Sequence, residues 1–318
     1  MSVTADVRIL VPGLLTTLQD GGRARSGAFG VARAGFADWW SAGVANALVG
    51  NARDAPLIET TLTGVLFAVT RPVHIAVSGA DADVTVNDHA VLLWQTIALR
   101  AGDRVEVRAA RAGVRNYVAF AGGIRGRRVL GSASTDVTAG FGGLEGRPLG
   151  AGDSLTLERA GESEPPQTRH VPSGQLPTWR NDAVLRVVTG PHAGNLADAN
   201  QMLGAAFSLT PQCNRQGVRL RGNAIVGKRS WDALSFGVTD GCVQISNDGQ
   251  PIILLCEHQT TGGYGVPYVV ISADVPVVAQ LRPGDRVTLQ AVNQADAAKA
   301  LTERIRLSRV RATDKREA

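Results

Sequence analysis

Three nine-residue stretches follow one plan, and no other feature constrains the fold as strongly. Residues 99–107 read LRAGDRVEV, residues 149–157 read LGAGDSLTL and residues 281–289 read LRPGDRVTL. Each is a Gly-Asp turn feeding a short alternating run, the pattern of a tight turn that delivers a β-strand. Two copies fall in the first half of the chain and one in the second. A further echo links Val7-Arg8-Ile9-Leu10-Val11-Pro12-Gly13 to Leu185-Arg186-Val187-Val188-Thr189-Gly190-Pro191. Recurrence of this kind predicts two related β domains.

The intervening sequence agrees. Short β-branched runs crowd together at 57–62, 65–69, 73–77, 84–86, 90–94, 105–107 and 117–121, separated by turn residues such as Arg71-Pro72 and Asn87-Asp88. That density fits barrels or sandwiches and not alternating strand–helix units. Helices are expected in three places. Asp38 is a good N-cap for an apolar run ending at Gly50-Asn51, a second helix is expected over 193–203, and a third over 294–307, where Ala297, Leu301 and Ile305 share a face. A polar, proline-bearing stretch at 161–180 reads as a linker. The expected division is therefore an N-terminal domain over 1–160 and a C-terminal domain with a terminal helix over 181–318.

A chain of 318 residues suffices for two such cores. The net charge of +5 comes from arginines spread along the chain without an aromatic-basic stripe, so nucleic acid is not an expected partner. No apolar run reaches membrane-spanning length and no basic-then-apolar leader opens the chain, which predicts a cytoplasmic protein with no membrane association. Cys213, Cys242 and Cys256 are widely spaced and the five histidines form no HxH or HxxxH pair. Reduced thiols and no metal site are expected.

Three stretches carry polar residues worth weighing. The first is Gln19-Asp20-Gly21-Gly22-Arg23, where Asp20 and Arg23 could pair across a glycine turn. The second is the glycine-rich passage at 122–152, long and without apolar periodicity, which is more often a functional loop than an accident. The third is Gln259-Thr260-Thr261-Gly262-Gly263-Tyr264-Gly265, placed as a bend between two apolar runs. It reads either as a ligand-facing loop of amide, hydroxyl and phenol groups or as a hairpin with a glycine bulge. The stretch Gly222–Arg229 nearly matches a phosphate loop, but Arg229 stands where the magnesium-binding hydroxyl belongs and no helical pattern follows.

Together these stretches resemble a known family. PGLLTTLQDGGR, LGSASTDVTAGFGGLEGRPLGAGD and GQPIILLCEHQTTGGYG followed by ISADVPVVAQLRPGDRV are similar, in order and spacing, to the biotin-dependent carboxyltransferase family. That family includes allophanate hydrolase subunit 2, the KipA protein and the C subunit of the ATP-dependent 5-oxoprolinase complex. The resemblance implies a mainly β fold of two tandem cyclophilin-like β-barrel domains with a few short helices. It implies a subunit of an ATP-dependent amide or lactam hydrolase that opens 5-oxoproline to glutamate. The expected partners are a KipI-like subunit and a LamB/YcsF-like subunit. ATP would bind at a partner and no cofactor on this chain, with biotin entering only in a urea carboxylase-like role. The alternatives are a KipA-type interaction protein that antagonises a KipI-like kinase inhibitor, and the carboxyltransferase part of a urea carboxylase-like enzyme.

On this reading a cleft holds a small amide or lactam. Gln259, Thr260 and Thr261 bind its carbonyl and stabilise oxyanion charge, and Asp20 or Asp136 transfers a proton. Arg23 or Arg215 holds a substrate carboxylate. Gly262, Gly263, Tyr264, Thr135, Gly142 and Gly143 complete the binding surface. The chain departs from the family pattern at 31–35, 214–217, 247–251 and 265–266, which points to a different small amide or lactam, or to the interaction role.

Overall fold

The computed structural model describes residues 5–158 and 168–308, and the strand at 311–312. The fold is mainly β, with three α-helices among the described residues. The chain forms two units. One comprises Met1–Ala24, Ala34–Trp179 and Leu307–Ala318; the other comprises Arg25–Arg33 and Arg180–Arg306. Residues 25–33 thus fold with the second unit and residues 307–308 and 311–312 with the first, an arrangement that a single boundary at 161–180 does not express.

The first unit contains β1 (Val7–Val11), β2 (Leu15–Gln19), β3 (Leu57–Thr61), β4 (Leu66–Val69), β5 (Val73–Asp81), β6 (Val84–Val86), β7 (His89–Val91), β8 (Thr96–Leu99), β9 (Arg104–Val107), β10 (Ala112–Phe120), β11 (Ser154–Leu155) and β12 (Arg169–His170). They lie in a six-stranded sheet ordered β11-β1-β4-β9-β6-β7 and a five-stranded sheet ordered β2-β3-β10-β5-β8, with β12 pairing the terminal strand at Arg311–Ala312. Alternation places Val7, Ile9, Phe67 and Val105 of the first sheet and Ile58, Ile75, Val118 and Phe120 of the second in one core. Phe67 and Phe120 meet there edge-on, 5.3 Å between centroids, in a geometry aromatic pairs favour. Helix α1 (Trp39–Leu48) closes this core as expected, with the Asp38 side chain accepting from the Ser41 N–H at 2.9 Å as its N-cap.

The second unit is built on a closed seven-stranded barrel. Its strands are β13 (Asp182–Thr189), β14 (Ala206–Cys213), β15 (Gly217–Arg221), β17 (Cys242–Ile245), β18 (Pro251–Leu254), β20 (Tyr268–Val270) and β21 (Arg286–Ala291). They close in the order β13-β20-β17-β18-β15-β14-β21, the parallel β13–β21 pair completing the ring. Full closure leaves the barrel without exposed edges. Two further strands, β16 (Asp232–Gly237) and β19 (Thr261–Tyr264), form a separate two-stranded ribbon. A short helix α2 (Val275–Val278) lies after Asp274, whose carboxylate takes both Nε and Nη2 of Arg186 on β13 at 2.9 and 2.6 Å. Helix α3 (Gln294–Leu307) is present as expected.

The helix expected over 193–203 is absent. Two single 3-10 turns stand there instead, Ala193–Asn195 and Ala199–Gln201. The competing interactions are visible. Asn195 spends its side chain on the 229–230 loop and Asp198 bonds the Asn200 N–H, the local alternatives that make Asn and Asp weak helix formers.

Each Gly-Asp repeat forms the same turn. Gly102, Gly152 and Gly284 have φ of +91°, +90° and +94°. In each turn the aspartate carboxylate accepts the N–H three residues back at 2.7 Å, from Arg100, Gly150 and Arg282.

Candidate functional site

The residues singled out from sequence divide into two groups, one in each unit. In the first unit the carboxylate of Asp20 organises its surroundings. It is 4% exposed. Its Oδ1 accepts from the Gly22 N–H at 2.8 Å and from the Ser132 and Ser134 hydroxyls at 2.5 and 2.6 Å. Its Oδ2 accepts from the Ala133 N–H at 2.6 Å. A carboxylate holding four donors stitches the 20–23 turn to the 132–136 segment.

The rest of this group is packed around that junction. Thr135 is fully buried, its hydroxyl donating to the Leu18 carbonyl at 3.0 Å and its own carbonyl accepting the Gln19 amide at 3.1 Å. Asp136 caps its own turn by accepting the Ala139 N–H at 2.9 Å. Arg23 is 1% exposed; its Nη2 donates to the Ser134 carbonyl and its guanidinium lies 4.6 Å from the Phe141 ring centroid. Gly142 and Gly143 are small because the backbone crosses closely here. A Cβ at Gly142 would sit 2.0 Å from the Ser134 oxygen, and one at Gly143 would sit 1.9 Å from the Thr135 hydroxyl. The structure brings these residues together in one buried junction.

The second unit holds an open cavity. It has a volume of about 340 Å³ and is bordered by the β14–β15 turn, by β17 and β18, and by Gln259 and Tyr264. Segment 259–265 is not a bend between buried strands. Its residues 261–264 are strand β19, paired with β16. Gln259 and Tyr264 line the cavity, whereas Thr260 and Thr261 do not. Arg215, read as a carboxylate clamp, is 4% exposed and its Nε lies 2.7 Å from Glu257 Oε1. That buried pair secures the 257–259 backbone. The cation on the cavity wall is Arg219, which is exposed.

Gln244 on β17 is the residue that sequence reasoning missed. It lines the cavity, is 2% exposed, and accepts the Gln259 amide on Oε1 at 3.2 Å. Its Nε2 is buried without a hydrogen-bond partner among the described residues, which marks a donor awaiting an acceptor. Gly262 is explained by the same atom: a Cβ there would lie 2.4 Å from Gln244 Nε2. The signal in the sequence was a Gln inside Cys242-Val243-Gln244-Ile245, all four residues buried.

Behind Gln259 stands a chain of polar contacts. His258 Nδ1 meets the Gln259 carbonyl, and its Nε2 lies 3.3 Å from Asp240 Oδ1. Asp240 Oδ2 accepts from Nη2 of Arg33 at 2.9 Å, which is how segment 25–33 anchors to this unit. Burial pushes the Asp240 carboxyl up, but the His258 and Arg33 contacts outweigh it and hold it below the usual carboxylate range. Chemically, the cavity offers amide donors and acceptors, a phenol and a cation, the set that a small polar amide with a carboxylate needs.

Comparison with known proteins places the chain in a family. The model of the carboxyltransferase domain, subdomain A and B, matches residues 29–291. The chain is 34% identical over 296 residues to the C subunit of 5-oxoprolinase from Escherichia coli (strain K12), covering 92% of this chain and 94% of that protein. It is 32% identical over 300 residues to the corresponding 5-oxoprolinase C subunit of Haemophilus influenzae, covering 89% and 90%. The crystal structure of the K. lactis urea amidolyase superposes with a TM-score of 0.90 at 29% identity, over 97% of this chain and 20% of that much longer one. The chain belongs to the family of the carboxyltransferase domain, subdomain A and B.

Proposed function

We propose that this chain is the C subunit of a 5-oxoprolinase: one component of an ATP-dependent complex that opens 5-oxoproline to glutamate. The observation that carries the reading is the cavity around Gln244. A five-membered lactam with a carboxylate presents one carbonyl, one N–H and one anion. Gln244 Nε2 supplies the unpaired donor for the carbonyl, Gln259 and Tyr264 supply polar contacts at the rim, and Arg219 supplies the counter-charge. A preorganised donor aimed at a carbonyl oxygen strengthens as negative charge develops there, an effect worth ~3 kcal/mol per donor in well-studied enzymes. The two 5-oxoprolinase subunits that align along nearly their whole length support the same reading.

ATP is assigned to a partner, a KipI-like subunit with a LamB/YcsF-like subunit beside it. On this chain the near phosphate-loop stretch leads into β16, a strand, where a phosphate loop needs a helix N-terminus. The likeness to urea amidolyase supports a second reading, a role on a ureido group, for which an amide-lined cavity is equally suited.

The test is co-expression with the two partner subunits and an assay of ATP hydrolysis stimulated by 5-oxoproline or by urea. Stimulation by 5-oxoproline that needs this chain is expected. Arg219→Ala should then raise KM, and Gln244→Ala should lower kcat with the complex intact. A stable complex stimulated by urea alone selects the second reading, and one stimulated by neither overturns both.

A further inference from the structure

The near phosphate-loop stretch has a different use in the fold. Lys228, Arg229 and Ser230 border a second cavity of the same unit, about 470 Å³, together with His192, Asn195, Trp231, Asp232 and the 265 backbone. It is distinct from the Gln244 cavity, although Tyr264 lines one and the adjacent Gly265 lines the other.

Much of its wall is fixed by local hydrogen bonds. Asn195 staples the loop through four contacts. Its carbonyl accepts the Lys228 N–H at 2.7 Å, its Oδ1 accepts the Arg229 N–H at 3.0 Å, and its Nδ2 donates to the Arg229 and Ser230 carbonyls, each at 3.3 Å. Gly227 makes the approach possible, since a Cβ there would lie 2.8 Å from Asn195 Nδ2 and 3.1 Å from the Trp231 ring. The Trp231 indole is fixed by donation to the Ile225 carbonyl at 3.0 Å. Lys228 Nζ is drawn to the Gly194 carbonyl at 3.1 Å, which holds the ammonium beside the 192–195 turn.

His192 is oriented as well. Its Nδ1 accepts the Val266 N–H at 3.1 Å, and its ring packs tilted against Phe236, 4.9 Å between centroids. With Nδ1 accepting, the neutral ring carries its proton on Nε2, so it remains a donor. The one acid on the wall, Asp232, is matched by the Ser230 hydroxyl at 3.0 Å. Two cations and an imidazole donor therefore border the cavity beside one carboxylate whose local partner is the Ser230 hydroxyl. A pocket held ready without a ligand costs little ordering on binding, and a guanidinium with an ammonium is the pairing that recognises an oxyanion.

We propose that this cavity is a binding site for a compact oxyanion, a carboxylate or phosphate group carried by a small molecule, with Lys228, Arg229 and His192 as its ligands. The proposal does not depend on the lactamase reading. It is tested on the full chain by isothermal titration at low ionic strength with inorganic phosphate and, separately, with succinate, using sodium chloride as the control for unspecific screening. Saturable binding of at least one probe is expected, and which probe binds identifies the group. The variant Lys228→Ala/Arg229→Ala alters two exposed side chains and should weaken that binding on the order of tenfold or more. Arg219→Ala, at the other cavity, should leave it unchanged. Failure of both probes to saturate overturns the proposal, as does equal binding by the double variant with its circular dichroism spectrum preserved.

Discussion

Asp20, weighed as a proton-transfer group, holds a buried junction together. Four donors converge on its buried carboxylate, so its removal strands two serine hydroxyls and two backbone N–H groups. An unmade buried hydrogen bond costs roughly 1–3 kcal/mol, and the costs do not simply add. Asp20→Ala should therefore destabilise the protein by about 3–5 kcal/mol in chemical denaturation; a loss under about 1 kcal/mol would refute the junction role. Asp240 makes a prediction in pH. Its folded carboxyl titrates below the ordinary value through His258 and Arg33. The unfolded chain therefore binds the proton more readily. The stability this adds is present above about pH 4, the unfolded range, and is lost as pH falls through the folded value. Asp240→Asn should flatten the acid limb of the stability–pH curve. An identical acid limb in the variant would contradict this assignment. What the sequence could not reveal at this scale was burial. Arg23 and Arg215 have the chemistry of a carboxylate clamp, but Ser134 and Glu257 engage them inside the fold, while the cavity cation Arg219 sits in an ordinary-looking strand.

At the scale of elements, two glycines separate turn chemistry from close approach. Gly284 has φ of +94° and nothing within 4 Å of a built Cβ. Gly284→Ala meets only backbone strain and should cost about 1 kcal/mol in thermal unfolding, with catalytic turnover in the assembled complex retained. Gly262 lies in β19 without positive φ, and its Cβ would collide with the Gln244 amide. Gly262→Ala should do the reverse, lowering turnover more than stability. Similar effects of both variants on both measurements would refute the distinction. The same contrast explains what could be read from sequence. The three Gly-Asp turns, the Asp38 cap of α1 and the α3 repeat are local, and each formed where the pattern put it. The β16–β19 ribbon is a non-local pairing between strands of mixed exposure, so segment 259–265 passed for a bend. The 193–203 helix failed because Asn195 found a better partner in the 229–230 loop.

For the whole molecule, composition and repeats indicate a mainly β chain in two parts, but not which segments belong to which part. Each unit has its own main hydrophobic core, with a smaller buried cluster of Cys242, Leu254 and Val266 in the second, and each unit includes a piece from the far side of a simple mid-chain cut. Residues 25–33 supply Arg33 to Asp240 of the second unit. In the first unit, Ser308 receives Arg53 through its hydroxyl and its carbonyl, and β12 pairs with the strand at 311–312. Such exchange leaves almost no trace in sequence, because a short segment without a periodic pattern reads alike wherever it docks. It has a consequence for folding. If the chain is divided at residue 180, the second half loses its Arg33 anchor and the first loses the strand opposite Arg169–His170. Each half expressed alone should be less soluble and unfold at lower denaturant than the intact chain. Co-expressed halves should co-purify, since each then meets its missing segment. Two halves that fold alone with undiminished midpoints, and do not associate when mixed, would show that the exchanged segments contribute nothing to either unit.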